Sequence, residues 1–222
     1  MNYWEETKGA IVAGLMIAIG GIVNLSCIAA GYPIIGAFLF SVGLFTICAF
    51  KGNLYTGKVG LIPFAYIEDM WGQKDFSLKA KFQASLVVFH YLIINLITTF
   101  GIGFVVGKYY PNLAATATEI YLPKMEADLV KLFISAFFCG VLMLIAVNLW
   151  EEHNIKSILL CVPTFILSGF DHSIANSFYN GVAYGEHTWT MENFWLTIIV
   201  ILGNAAGAIT FALLNKTKAD VL

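Results

Sequence analysis

Between Lys156 and Glu186 the only acidic or basic side chains are Asp171 and His172, and they stand in the middle of the run, in Gly169-Phe170-Asp171-His172-Ser173. The uncharged stretches on either side, Ser157–Phe170 and His172–Gly185, are fourteen residues each. As helix, at ~1.5 Å per residue, either half covers about 21 Å, short of the ~30 Å hydrocarbon core of a bilayer. Together they span it. An acid and a histidine would then lie near the bilayer midplane, beside a glycine that can break the helix. Ionisable groups at that depth mark an ion or substrate path, and a broken helix there needs a cavity lined by protein. The competing reading is a soluble protein with a buried, satisfied Asp/His pair.

Composition decides between them. The chain is 59% hydrophobic with 12% charged residues, against about 25% charged in soluble domains, and its mean hydropathy is +0.79. No charged side chain occurs from Gly9 to Phe50, which is room for two spans. The chain reads as an all-α polytopic membrane protein, one domain over residues 1–222. The net charge of −2 gives no reason to invoke nucleic acid. All twelve basic residues other than histidine are lysines, which removes the bidentate clamp that arginine offers to phosphates and carboxylates. Cys27, Cys48, Cys139 and Cys161 fall in apolar runs without Cys-x-x-Cys spacing, so they read as small apolar packing residues. The amino terminus has no basic region or cleavage site, and the first apolar run is expected to be retained.

Six spans follow. The first covers about Gly9–Ala30, with a turn at Gly31-Tyr32-Pro33. The second opens near Ile34, is clean to Phe50, meets Lys51-Gly52-Asn53-Leu54-Tyr55-Thr56-Gly57-Lys58, and resumes over Val59–Ile67. Trp71 to Lys81 is a polar connection. The third span is Phe82–Gly107, and the polar stretch from Tyr109-Tyr110-Pro111 to Asp128 is expected to be the longest loop. The fourth is about Leu132–Trp150, the fifth is the interrupted run, and the sixth ends at Asn215. The lysines Lys8, Lys74, Lys79, Lys81, Lys156, Lys216 and Lys218 then share a side with both termini, and the positive-inside rule puts the termini in the cytoplasm. Each set of three spans has an interrupted middle span, near Gly52–Thr56 and at Gly169–Ser173, so the chain is a candidate inverted 3+3 repeat with its site where the interruptions face each other.

Both helix polarities exist at a break, so dipoles alone do not fix the sign of the solute. Lys51, Lys58 and a protonatable His172 tilt the balance toward an anion. Asp171 opposes this unless its carboxylate accepts from backbone N–H groups of its own loop. Thr56 and Ser173 are good N-cap types for the second halves, and Asp171 is an alternative. His90, Asn24, Asn95, Asn148 and Asn204 read as hydrogen-bonding packing residues within spans. Lys51 and Lys58 have an alternative use, reaching to headgroups or pairing with acids such as Glu68 and Asp69.

Ser168-Gly169-Phe170-Asp171-His172-Ser173-Ile174-Ala175-Asn176 resembles the Gly-Phe-acid-His-Ser…Ala-Asn pattern of the formate/nitrite transporter family. Leu54-Tyr55-Thr56-Gly57 is similar to its Leu-aromatic-Thr in a broken second span, and Gly203-Asn204 with Gly207 to its last-span signature. The resemblance implies an aquaporin-like protomer with its own pore, a homopentamer in a bilayer such as the bacterial plasma membrane. It implies passage of formate, nitrite, hydrosulfide, lactate or a similar monovalent anion, or its conjugate acid. It further implies His172 as the central pore histidine, Thr56 facing it, Asn204 near it, Phe40 and Leu44 at the cytoplasmic constriction and Phe165 at the outer one. The chain departs from the family at Asn53, where an acid is usual, and at Lys51 and Lys58, where small or neutral residues are usual. The fourth-span Asn falls at Leu144, with Asn148 one turn later, and Lys131 is the candidate entrance lysine.

The expected activity is a channel or proton-coupled carrier, not an enzyme, with no cofactor or metal. An anion would be captured in a lysine-bearing vestibule and pass the constriction as a neutral acid. A neutral-solute pore of the aquaporin type is the alternative, weakened by the absence of Asn-Pro-Ala and of arginine. An intramembrane enzyme using Asp171 and His172 lacks a nucleophile motif or second carboxylate.

Overall fold

The computed structural model describes residues 3–62, 78–183 and 190–215, with the backbone alone for 78–81. Among these residues the chain is helical apart from short turns and two extended connections, with no strand. The helices are α1 (Tyr3–Ala29), α2 (Pro33–Ala49), α3 (Tyr55–Lys58), which runs on into a 3-10 turn (Val59–Leu61), and α4 (Leu78–Tyr109). They continue with α5 (Pro111–Met125), α6 (Leu129–Glu151), α7 (Lys156–Leu167), α8 (Ser173–Val182) and α9 (Met191–Asn215). By length and composition four are apolar enough to cross a membrane: α1, the Phe82–Tyr109 part of α4, α6 and α9. The helices α2 and α7 are apolar but shorter.

The surface is inverted relative to a soluble fold. Ile34, Phe38, Phe89, Ile97, Leu160 and Leu202 point outward, while Asn24, Thr56, Asn95, Asp171, His172 and Asn204 are buried. Apolar side chains on the outside are stable only against lipid or another subunit, and polar ones inside need partners. This removes the soluble reading of the Asp/His pair.

Packing around the interrupted runs follows one scheme twice. α1 packs on α2 as α6 packs on α7, and α1 on α4 as α6 on α9. α4 lies along α8, and α9 along the 3-10 turn after α3. The shared α2·α7 contact sits between them. Two of these contacts depend on absent side chains: a Cβ on Gly207 of α9 would stand 1.9 Å from the Phe137 carbonyl oxygen of α6. One on Gly181 of α8 would stand 2.4 Å from the Phe100 carbonyl oxygen of α4. Small residues let membrane helices approach to backbone contact, which is where attraction between them comes from when lipid is as apolar as leucine.

The structure changes one expectation here. The stretch after Tyr110 is not a loop: Pro111 occupies the first turn of α5, where its missing N–H and fixed φ suit a helix start. This helix packs on α8 and α1. The sixth apolar run and the turn at Gly31 lie where expected, with Gly31 at φ 85°. The cysteines are unpaired; Cys139 and Cys161 are buried, Cys27 and Cys48 only half-buried. Residues 63–67 of the second run, most of the Trp71–Lys81 connection, Glu68, Asp69 and Lys74, and the terminal lysines lie outside the described residues, and the side chains of Lys79 and Lys81 are likewise not described.

Candidate functional site

Both interruptions are built to the same plan. At the end of α2 the Gly52 N–H donates to the Ile47 carbonyl (2.7 Å) and the Lys51 N–H to Cys48 (3.2 Å). At the end of α7 the Phe170 N–H donates to Phe165 (2.9 Å) and the Gly169 N–H to Ile166 (3.1 Å). This is the Schellman ending, which requires one left-handed residue. Gly169 supplies it at φ 69° and Lys51 at φ 54°. The chain then extends, through Leu54 (φ −94°, ψ 123°) and His172 (φ −97°, ψ 115°), before α3 and α8 begin. A left-handed L-residue costs about 1 kcal/mol relative to glycine. Lys51→Gly is therefore expected to raise the thermal unfolding midpoint in detergent. Gly169→Ala is expected to lower it by a similar free energy, although a Cβ at Gly169 meets nothing within 4 Å.

An asparagine from the following long helix clamps each extended stretch. Asn95 of α4 accepts from the Tyr55 N–H (2.9 Å) and donates to the Ala10 (2.8 Å) and Asn53 (3.1 Å) carbonyls. Asn204 of α9 accepts from the Ser173 N–H (2.8 Å) and donates to the Ala136 (2.8 Å) and Asp171 (2.7 Å) carbonyls. Each amide satisfies the N–H and the carbonyl that a broken helix leaves open where water is scarce, and its other donation ties the break to a carbonyl inside a neighbouring helix. Asn204 thus holds the break beside His172 through backbone groups on either side of the ring. Asn95, expected to hydrogen-bond between helices, does so to α1 and clamps the other break as well.

The two breaks meet through a side-chain hydrogen bond: His172 Nε2 lies 2.8 Å from Thr56 Oγ1. His172 is itself the N-cap of α8, its Nδ1 accepting from the Ala175 N–H at 3.0 Å. Ser173 and Asp171 do not cap, because the ring reaches that N–H first. Thr56 does not cap either: it lies inside α3, whose N-cap is Leu54. Since Nδ1 accepts, the proton of the neutral ring is on Nε2, and His172 donates to Thr56. The Thr56 hydroxyl proton remains available to a passing acceptor, for no partner takes it among the described residues. Phe165 stacks on the imidazole (5.6 Å between centroids, 20° between planes) and meets Phe40 edge to face at 6.2 Å.

A cavity approaches this layer from each side. One, of about 260 Å³, is lined by Phe40, Phe165, His172, Lys124, Asn176 and Tyr179 among others. The other, of about 240 Å³, is lined by Leu44, Leu54, Lys51, Lys58, Cys48 and Glu151 among others. Phe40 therefore sits with Phe165 on the Lys124 side of the histidine, apart from Leu44, with which the resemblance grouped it. Leu54 joins Leu44 on the opposite side. Lys51 and Lys58 do line a cavity, and they share it with the carboxylate of Glu151.

Asp171 is buried, and its carboxylate accepts from side chains, not from its own loop. Lys124 Nζ (2.5 Å) and Asn176 Nδ2 (2.9 Å) donate to Oδ1, and the Ser135 hydroxyl (2.5 Å) to Oδ2. The negative charge that opposed an anion path is thereby balanced by a lysine. That lysine is on α5, in the stretch read as a loop. Lys131 instead lies exposed at the start of α6, whose N-cap is Asp128. His90 bonds Thr7 (2.9 Å), tying α4 to α1 as a packing residue.

A model of the family described as "Formate/nitrite transporter" matches residues 2–216 of the sequence. No curated protein matches it. Among solved structures, one called "FNT family ion channel" superposes with a TM-score of 0.79 at 17% identity, covering 97% of this chain and 90% of its own. Another, "Pentameric formate channel with formate bound", gives 0.74 at 22% identity over 96% of this chain and 95% of its own. At these identities the likeness is one of fold.

Proposed function

Because the chain belongs to the formate/nitrite transporter family, we propose that it is a membrane conduit for a small monovalent weak-acid anion such as formate, nitrite or hydrosulfide, working as a channel or proton-coupled transporter without covalent chemistry. The observation that carries this reading is the His172–Thr56 bridge. It is a buried polar contact between two helix breaks, walled by Phe40 and Phe165, with a lysine-lined cavity on each side.

The protomer is a single membrane domain of six spans. α1, α4, α6 and α9 are the continuous ones. α2 with α3 and its 3-10 turn, and α7 with α8, are the broken ones. The matched Schellman endings, the matched asparagine clamps and the doubled packing scheme support an inverted repeat of three plus three, aquaporin-like in plan. A homopentamer accords with the outward apolar side chains of each protomer and with the pentameric formate channel of the same fold. Both termini are placed in the cytoplasm, which makes the Lys51–Lys58 cavity the inner vestibule and the Lys124 cavity the outer one.

An anion entering either vestibule meets a lysine, and then a layer of aromatic and leucine side chains. Carrying a bare charge to the bilayer centre costs about 2.5 kcal/mol or more. A proton taken from vestibule water removes that cost. His172 orients the site: its Nε2–H holds the Thr56 oxygen, and the Thr56 O–H points its proton at the passing carboxylate or its acid. The ring stays neutral, for charging it means breaking the Nδ1 cap on Ala175, so it orients the site and does not supply the anion's proton.

Flux into proteoliposomes, over a panel of formate, nitrite, hydrosulfide and lactate, tests the reading. Uptake of one or more of these should rise as the external pH falls toward the acid's own pKa. Passage of glycerol or urea with no weak-acid flux would replace it with the neutral-solute pore. Lys51→Met and Lys58→Met are expected to raise the half-saturating concentration more than they lower the maximal rate. If both leave the concentration dependence unchanged, the two lysines serve headgroups.

A further inference from the structure

In the second break, the loop residue Asp171 carries the carboxylate and pairs directly with its lysine. The corresponding loop residue in the first break is Asn53, held by the equivalent clamp but uncharged. A carboxylate nonetheless reaches that place from another element. Glu6, in the first turn of α1, accepts from Asn53 Nδ2 at 2.9 Å and from the Tyr91 hydroxyl. The Asn53 amide also reaches the Glu6 backbone carbonyl at 3.2 Å. Tyr91 is 1% exposed, and Lys58 Nζ lies over its ring, 5.6 Å from the centroid. The groups are thus linked in series: Glu6 fixes the phenol, and the face of that ring carries the Lys58 ammonium, which feels the carboxylates of Glu6 and Glu151. A cation over an aromatic face is held by the ring's quadrupole, and a carboxylate on the hydroxyl makes that face more negative.

We infer that Glu6 is a specificity-determining residue of the conduit: it stands in for the carboxylate missing at Asn53 and sets how much positive charge the Lys51–Lys58 cavity presents to an anion. The inference rests on the anion reading above. Glu6 does not line the cavity, so it acts through Lys58 and never on the solute. Glu151, which does line it, provides direct opposition and cannot replace Glu6, since it holds neither Tyr91 nor the Asn53 loop. Removing the Glu6 charge while keeping its hydrogen bonds should leave the break in place and unmask the lysine.

Two measurements on the full-length protein in liposomes test this separately from the anion reading. In the first, formate flux is compared for wild type, Glu6→Gln, and Glu6→Gln combined with Asn53→Asp, at low and high salt. Glu6→Gln should lower the half-saturating concentration several-fold at low salt, and the shift should shrink at high salt as screening takes over. The second carboxylate, at Asn53→Asp, should return it toward wild type, and Lys58→Met should erase the effect of Glu6→Gln. The second measurement needs no flux. With Cys48→Ser and Lys51→Cys in place, the ratio of modification rates by anionic and cationic thiosulfonate reagents reports the potential in the cavity. Glu6→Gln should raise that ratio several-fold. If the ratio is unchanged, the inference is overturned, whatever the flux. If the ratio moves and wild type carries no weak acid, the anion reading fails and the charge-setting role of Glu6 stands. A loss of assembled protein in Glu6→Gln that Asn53→Asp does not restore would make Glu6 a structural residue only.

Discussion

Replacing His172 with phenylalanine is expected to reduce weak-acid flux by about tenfold to a hundredfold, with the protein still assembled. The new ring can keep the stack on Phe165, so the aromatic layer survives. Two hydrogen bonds go. The Ala175 N–H loses its cap, worth about 1 kcal/mol of stability. The Thr56 oxygen loses its donor, so the hydroxyl is free to rotate and no longer presents its proton to the pore axis. Misdirecting one buried hydrogen bond costs about 1–3 kcal/mol, and each 1.4 kcal/mol added to a barrier is about tenfold in rate. Flux and size-exclusion profiles of the same preparation check this. Asparagine at 172 separates the two functions, because its side-chain oxygen can cap Ala175 while it is too short to hold Thr56. If His172→Phe conducts as wild type does, the imidazole is a helix cap and nothing more.

The breaks themselves were legible because membrane thickness is a ruler: a run whose halves are each too short to cross alone, and which an acid and a histidine interrupt, has few ways to fold. The pairing of His172 with Thr56 was legible through the family pattern, since no local signal links two residues 116 positions apart. What stayed hidden has physical causes. Pro111 looks like a breaker in sequence, yet a first-turn proline starts a helix, and so α5 and its Lys124 were read as loop. The caps were misassigned because propensity favours Ser, Thr and Asp, whereas the geometry at the break brings an imidazole nitrogen to the Ala175 N–H. Phe40 was placed apart from Phe165 because only the α2·α7 contact decides which side of the histidine each ring occupies. Glu6 lies far along the chain from Asn53 and Tyr91, and one glutamate in a first helical turn looks like an ordinary macrodipole residue.

The asparagine clamps lead to the largest expected structural effect. A lone amide in an apolar span has no periodicity to reveal its purpose, and four such amides occur here, at Asn24, Asn95, Asn148 and Asn204. Their bonding differs. Asn204 serves the Ser173 N–H and two carbonyls, and Asn95 the Tyr55 N–H and two carbonyls. Asn24 makes one side-chain bond, to the Tyr179 hydroxyl at 2.9 Å. Leucine at 204 keeps the branch at Cγ but carries methyl groups in place of the amide, and it would orphan the Ser173 N–H and the Asp171 carbonyl at once. At about 1–3 kcal/mol for each buried group left unpaired, the loss is several kcal/mol, enough to open the Asp171–Ser173 stretch and release His172 from Thr56. Asn95→Leu should cost a similar amount, because it strips an N–H and a carbonyl from the other break. Asn24→Leu should cost far less. The check is the thermal midpoint of each variant in detergent, with the share of assembled oligomer on a native gel. Equal, large losses at 95 and 204 beside a small one at 24 would fit two breaks held by one device. If Asn204→Leu assembled and melted like wild type, the extended stretches would be held by their Schellman endings and His172 alone, and the amides would be ordinary packing residues.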